Sequence, residues 1–302
     1  MARRGENIDG VLLLDKPQGM SSNAALQRAR RLVNAQKAGH TGTLDPMATG
    51  LLPLCFGNAT KFSADLLDAD KAYEARVRLG VTTDTGDAEG KILQERPVTV
   101  SAEDVERVAA RFTGVISQIP PMYSALKRNG EALYEIARRG EVVEREARQV
   151  TIHSIEVKDF DGTHFTMLTR VSKGTYIRVL AEDIGEALGC GAHLVALRRT
   201  MVGELTIDRA VTLEALEACG SAELAREKLE PADALLQSLP AVGLTSEGEK
   251  RFMQGQRLAL GLSVRGRVRV YGPEKNLLGT ARVQDRGVLH PERLIAFNRE
   301  NS

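Results

Sequence analysis

Apolar positions along the chain switch period several times, and each switch marks a change of element. Gly10–Leu14 is a short apolar run ended by Asp15-Lys16-Pro17, the pattern of a buried strand entering a turn. Ser21 or Ser22 is placed to cap a helix in which Ala25, Leu26, Ala29, Leu32 and Val33 keep helical spacing, with Gly39 just beyond its end. Leu51–Phe56 reads as another buried strand, and Asn58 opens a helix to about Leu67. Lys71–Gly80 alternates: Tyr73, Ala75, Val77 and Leu79 share one face and Glu74, Arg76 and Arg78 the other, so Tyr73 points inward. Ser101–Thr113 is helical, with Ser101 as cap and Asp104 at the third position. Ile119–Tyr123 is extended around two prolines. Val150–Asp159 and His164–Val171 read as neighbouring strands joined at Asp161-Gly162, and Tyr176–Leu188 as a helix stopped by Gly189. Ala192–Leu197 is apolar and ends against Arg198-Arg199, and Glu204–Pro240 reads as two short acidic helices.

The texture changes at Ala241. One short helix, Glu247–Met253, is followed by alternating runs at Val264–Tyr271, Leu277–Val283 and Leu289–Phe297, the pattern of a small β-barrel. A chain of 302 residues has room for a domain of ordinary size plus a smaller one of this kind. Composition adds little else: charged residues make up 27% and aromatics 4%, with no Trp, which argues against a broad stacking platform for single-stranded RNA. A net charge of +1 does not announce a nucleic-acid binder, but its distribution leaves room for a basic face. Lys16–Leu44 holds five basic residues and no acid, and Thr245–Ser302 holds eleven basic against six acidic. Lys16, Arg28, Arg30 and Arg31 could meet phosphates, with a structural ion pair as the other reading of Lys16. Cys55, Cys190 and Cys219 show no paired or metal-like spacing, which suits a reducing cytoplasm. The opening segment lacks a signal-peptide core, and no run reaches transmembrane length.

Candidate chemistry concentrates in K-A-G-H-T-G-T-L-D-P-M-A-T-G-L-L-P, Lys37–Pro53. Its glycines, prolines and threonines read as an ordered loop with special backbone angles. Asp45 is the only acid between Lys16 and Ala64, and a lone carboxylate in a basic, glycine-rich segment is a catalytic candidate. The competing reading is a turn in which Asp45 caps Met47 or Ala48. The acids of Val81–Gly90 lack the EF-hand pattern and read as a solvated turn. No dinucleotide, Walker or Cys/His metal motif occurs, so no cofactor is expected. Ser21, Ser22 and Cys55 lack a nucleophile elbow or an evident histidine partner, so a hydrolase ranks low.

G-H-T-G-T-L-D-P-M-A-T-G-L-L-P resembles the signature of the TruB family of pseudouridine synthases. The resemblance continues through D-K-P-Q-G-M-S-S at Asp15–Ser22, K-A-Y-E-A at Lys71–Ala75, P-P-M-Y-S-A-L-K at Pro120–Lys127, G-T-Y-I-R at Gly174–Arg178 and L-R-R-T at Leu197–Thr200. It implies an α+β fold. Residues 1–240 would form a catalytic domain with a mixed, largely antiparallel sheet flanked by helices. Residues 123–150 would be an insertion that closes over RNA, and 241–302 a PUA-like RNA-binding barrel. It implies isomerisation of uridine to pseudouridine at position 55 in the T loop of tRNA, by base flipping, without cofactor or metal. Asp45 matches the catalytic aspartate, Arg178 the arginine that orients it, and Tyr73 the tyrosine that stacks on the base. Tyr176 and Leu197 match further pocket walls, and His40 the histidine that fills the space left by the flipped nucleotide. The partner implied is tRNA, through the T arm and the acceptor stem, with no protein partner, no membrane and a monomeric chain. A tRNA-folding chaperone without catalysis, and a guide-RNA-dependent relative, are the alternatives.

Overall fold

The computed structural model describes residues 5–124, 126–128 and 130–296. Met1–Arg4 of the opening segment, Ala125 of P-P-M-Y-S-A-L-K and the Phe297 end of the last expected strand lie outside the described residues.

Nine strands and three helices carry the larger part. They are β1 (Gly10–Lys16), α1 (Ser22–Leu32), β2 (Ala38–His40), β3 (Thr49–Phe56), β4 (Lys71–Leu79), α2 (Ala102–Ala110), β5 (Gly114–Gln118), β6 (Arg148–Lys158), β7 (His164–Val171), α3 (Ile177–Ala187), β8 (Ala192–Val202) and β9 (Val211–Thr212). The main sheet runs β9-β1-β3-β8-β4-β7-β6-β5, with β2 added to β3. Pairing is antiparallel except β1 with β9 and β3 with β8. This is the mixed sheet of an α+β fold. The unbroken apolar run of β1 has a direct cause. Leu12 and Leu14 pack into the large core with α1, while Val11 and Leu13 pack on the opposite face with Phe62 and Leu235. A strand covered on both faces needs no polar alternation.

The junction of β3 with β8 sets up everything that follows. β1 takes one edge of β3 from Gly50 to Phe56. The other edge is shared: Thr49 and Gly50 pair with Arg198 and Arg199 of β8, and Leu54–Phe56 pair with β2. The segment 41–48 leaves β2 and re-enters β3 between these two partners, so it is pushed out of the sheet as a loop with both ends fixed. β8 runs past Leu197, where the sequence suggests a stop, because both arginines are satisfied in place. Arg198 makes two bonds to Asp15, at 3.1 and 2.6 Å, and buried Arg199 donates to carbonyls.

Local signals explain most element ends. Ser21, not Ser22, caps α1. The helix stops at Leu32, short of Gly39, because Asn34 takes a left-handed conformation (φ 55°). Ser101 and Asp104 form a reciprocal capping box on α2. The expected helix from Asn58 splits into a 3₁₀ turn, Gly57–Phe62, and a short helix, Ser63–Leu67. Buried Lys71 donates to the carbonyls of Leu66, Leu67 and Ala69 at the end of that helix. The densely charged segment after Gly130 holds a helix over Leu133–Arg138, and Arg139 pairs with Glu131 and Glu141 in solvent.

The second sheet orders Ala241–Gly243, Gly266–Tyr271, Leu277–Val283, Val288–Leu294 and Leu258–Ala259, a PUA-like half-barrel around Phe252, Val268 and Leu289. Its two short outer strands carry no run long enough to stand out in sequence. Arg267 bridges Asp65 and Glu292, Tyr271 donates to Asp233 at 2.6 Å, and Asn58 exchanges two bonds with Ala296. These contacts fasten the half-barrel to the helices beside β3.

Gly50 is the tightest point of the junction: at φ 101° a Cβ would come 2.3 Å from the Arg199 carbonyl oxygen. Gly50→Ala is therefore expected to lower the unfolding free energy by about 3 kcal/mol or more, read by urea denaturation.

Candidate active site

The loop from Thr41 to Ala48 is held by side chains that reach its backbone. Ser22 Oγ donates to the Leu44 carbonyl at 2.9 Å and accepts from the Leu44 amide at 2.8 Å. Arg199 donates to the carbonyls of Leu51 and Gly42, at 2.8 and 3.2 Å. The Gly19 amide donates to the Pro46 carbonyl. Among the described residues Lys16 pairs with no carboxylate. Its ammonium is fully buried and donates to the carbonyls of Pro17 and Met20 at 2.8 and 2.6 Å, with Pro46 at 3.5 Å. Burial pushes its pKa down to about 8, against the pull of the Asp45 charge. Arg28 is likewise engaged, in an ion pair with Glu217.

So positioned, Asp45 makes a turn only through its backbone, whose carbonyl accepts from Ala48. Its carboxylate caps no amide among the described residues and points to Arg178, with Oδ2 2.9 Å from Nη2. Arg178 stands on the first turn of α3 and is 4% exposed. Tyr176 is the N-cap of that helix, and the Gln118 side chain holds it by bonds to both its amide and its carbonyl. Arg178 also donates to the carbonyls of Thr85 and Tyr123, at 2.9 and 2.6 Å, and its Nε lies 3.7 Å from Asp87. A buried guanidinium thus has an acceptor on every side that matters.

The pair forms a wall shared by two cavities. The inner one, about 170 Å³, is lined by Asp45, Tyr73, Ser124, Tyr176, Arg178 and Leu197, on the scale of one planar ring. The outer one, about 590 Å³, opens past His40, Asn23, Tyr134 and Arg138 and shares Asp45, Ser124 and Arg178 with the inner. Tyr73 reaches the cavity from β4, opposite Arg199 in β8, and Leu197 from two residues earlier in β8. Burial raises the Tyr176 phenol pKa and lowers that of His40, with Arg199 adding to the latter. All six residues expected from the sequence therefore line one or other cavity. Among the described residues no group of three His, Cys, Asp or Glu side chains is placed to hold a metal ion. The arrangement suits a flat base held between two tyrosines and a leucine, with one fixed carboxylate at its edge. Cys55 is unsuited to nucleophilic chemistry, being buried with its thiol pushed up to about 12.

The chain is similar to known proteins over most of its length. The profile described as TruB family pseudouridylate synthase, N-terminal domain, matches residues 30–177, and two TruB C-terminal profiles match 178–237 and 240–295. A protein of Cupriavidus metallidurans named tRNA pseudouridine synthase B is 61% identical over 300 residues, covering 96% of this chain and 95% of its own. The chain belongs to the TruB family of pseudouridylate synthases. These enzymes are isomerases. Another relative named tRNA pseudouridine synthase B, from Dechloromonas aromatica, is 58% identical with 97% of each chain covered. Among solved structures, a Cbf5-Nop10-Gar1 complex gives a TM-score of 0.74 at 26% identity, covering 95% of this chain and 85% of that one. No helix among the described residues of this TruB family member is long and apolar enough to cross a membrane.

Several residues of the site escaped the sequence reading. Asp87 sits in the acidic segment read as solvated, yet it is 4% exposed. Its Oδ1 accepts from Thr85 and from the Glu89 amide, which leaves Oδ2 toward Arg178. Glu182 lies one helical turn beyond Arg178 and packs against Gly86, where a Cβ would come 2.9 Å from its carboxylate. Burial pushes its pKa up to about 7, with Asp183, Asp87 and Glu186 adding and Arg178 opposing.

A carboxyl whose folded pKa lies above its unfolded value contributes stability that is full below about 4.5 and lost as pH rises through about 7. Glu182→Gln should therefore gain on the wild type by about 1–2 kcal/mol between pH 5 and pH 8, read as the pH dependence of the unfolding free energy.

Proposed function

We propose that this TruB family member converts uridine to pseudouridine at position 55 in the T loop of tRNA, and that Asp45 is its catalytic carboxylate. The observation that carries the reading is the Asp45–Arg178 pair on the wall between a base-sized cavity and an open one. The names of the close relatives agree with a tRNA substrate.

The reaction breaks the bond between C1′ and N1, turns the uracil and rejoins it through C5. The base must first leave the RNA stack to enter the inner cavity. Tyr73 and Tyr176 then face the base, Leu197 closes an edge, and His40 stands at the mouth, where the flipped nucleotide leaves a gap. Asp45 acts at C1′ or at C6 of the ring, and both lie within reach of a carboxylate fixed at the cavity wall. Arg178 acts through Asp45: its Nη2, held in place by the guanidinium's other contacts, orients the carboxylate. The charged segment 123–150 closes over the RNA, and the half-barrel from Ala241 touches the acceptor stem. The enzyme works as a monomer in the cytoplasm, without protein partner or cofactor.

The test uses an unmodified tRNA T-arm hairpin with wild-type protein and variants, mapped for pseudouridine by carbodiimide adducts and primer extension. Wild type should give one stop, at the T-loop uridine. Asp45→Asn should bind the hairpin within about twofold of wild type and turn over at least about 10³-fold more slowly. Appreciable residual isomerisation would remove Asp45 from the mechanism. Arg178→Lys, which loses the planar fork, should cost about 10- to 100-fold in rate. Wild-type turnover there would end the orienting role. Binding without any stop, on the hairpin and on full-length tRNA alike, would favour a chaperone or a guide-dependent enzyme.

A further inference from the structure

Among the described residues that line the two cavities, Ser124 and His40 each keep a buried polar side-chain atom without a hydrogen-bond partner, and only Ser124 of the two lines both cavities. It is 5% exposed, and its hydroxyl has no hydrogen-bond partner among the described residues. Its backbone is already satisfied: the amide donates to the Met122 carbonyl at 2.9 Å, and the carbonyl accepts from Tyr134 at 3.1 Å. The Tyr176 phenol is near enough to feel Ser124, but the two hydroxyls do not meet in hydrogen-bond geometry. Ser124 lines both cavities, beside Asp45 and Arg178. The preceding carbonyl, Tyr123, is held by Arg178 at 2.6 Å, so the hydroxyl is carried on a fixed backbone. A buried hydroxyl without a partner destabilises the fold, and an alanine would fill the same space without that penalty. Such a group points to a partner that arrives with the ligand.

The chemistry of the reaction says what that partner is. Rejoining through C5 needs the detached ring to present C5 where N1 stood. A half-turn about the N3–C6 axis does this, and it exchanges O2 with O4 in the same motion. A donor placed for one ring carbonyl therefore meets the other after the turn. A hydroxyl suits the task because its hydrogen swings about the C–O bond and can follow the ring. We propose that Ser124 donates a hydrogen bond to one carbonyl of the uracil before rotation and to the other after it, keeping the detached base in register with C1′. This rests on the isomerisation proposed above. C1′–N1 breaks, C1′–C5 forms, the C5 proton leaves and N1 gains one, and Ser124 takes no part in these transfers.

The test measures single-turnover rates at saturating protein, hairpin affinity and thermal unfolding for wild type, Ser124→Ala and the near-isosteric Ser124→Cys. Both variants should unfold at or above the wild-type temperature, bind the hairpin within about twofold, and isomerise about tenfold more slowly. The decisive arm places 2-thiouridine or 4-thiouridine at the target, because sulfur accepts hydrogen bonds weakly. The loss on removing the hydroxyl should then shrink to about threefold or less on at least one of the two. An equal loss on all three RNAs would overturn the contact, as would a loss of affinity alone or a wild-type rate in both variants. If wild type itself leaves the hairpin unmodified, the underlying reading fails, and this inference with it. An active wild type with unaffected variants removes the inference alone.

Discussion

A guanidinium taken out of water must find acceptors for its donors, and the site is built around that demand on Arg178. Its acceptors come from separate stretches of chain. Asp45 belongs to the loop before β3, Thr85 and Asp87 to the segment after β4, and Tyr123 to the start of the charged insertion. Of the two carboxylates, Asp87 is buried while Asp45 is open to solvent, with 39% of its side chain exposed. The other contacts are inward and fix the arginine, so its remaining face is presented to one carboxylate. Loss of any inward acceptor would leave a buried charge partly unpaired, which is far costlier than loss of a surface ion pair.

The same logic holds the loop. Lys16 and Arg199 are charged and fully or almost fully buried, yet among the described residues neither is paired with an acid. Their donors go to backbone carbonyls: Lys16 to the turn after β1 and to Pro46, Arg199 to Gly42 and to Leu51 of β3. A carbonyl dipole is a weaker partner than a carboxylate, but it cannot rotate away, and using it leaves Asp45 unneutralised by its neighbours. The loop is thus shaped by cations that bind its backbone. This explains how a segment rich in glycine and threonine holds one side chain in one place.

How far this was legible depends on whether the signal was local. The apolar run of β1, the capping box at Ser101 and the alternation around Tyr73 follow from neighbours in sequence, and the structure has them where the pattern puts them. Asp45, Tyr73, Tyr176, Arg178, Leu197 and His40 match the pattern of one family, and they line the two cavities. What stayed hidden were charges whose partners lie far along the chain. Arg198-Arg199 looks like the end of a strand until Asp15 and the loop carbonyls are in view. Asp87 looks like any acid in a turn until Arg178 closes over it, and Lys16 looks like a phosphate contact until three carbonyls surround it. Burial of a charge is a property of tertiary contacts, and neither hydropathy nor period carries it.

One consequence reaches beyond the cavity. The Tyr123 carbonyl that Arg178 holds is the root of the insertion, and the adjoining Ser124 carbonyl accepts from Tyr134 at the start of the helix Leu133–Arg138. The insertion is mostly exposed and tied by ion pairs among its own residues, so its outer part is weakly anchored while its root is firmly held. A short run of contacts leads from the helix Leu133–Arg138 through Ser124 and Tyr123 to Arg178 and so to Asp45. On the function proposed above, engagement of RNA by this segment and alignment of the carboxylate would be joined through one buried side chain, over a short run of hydrogen bonds rather than a long path through the core.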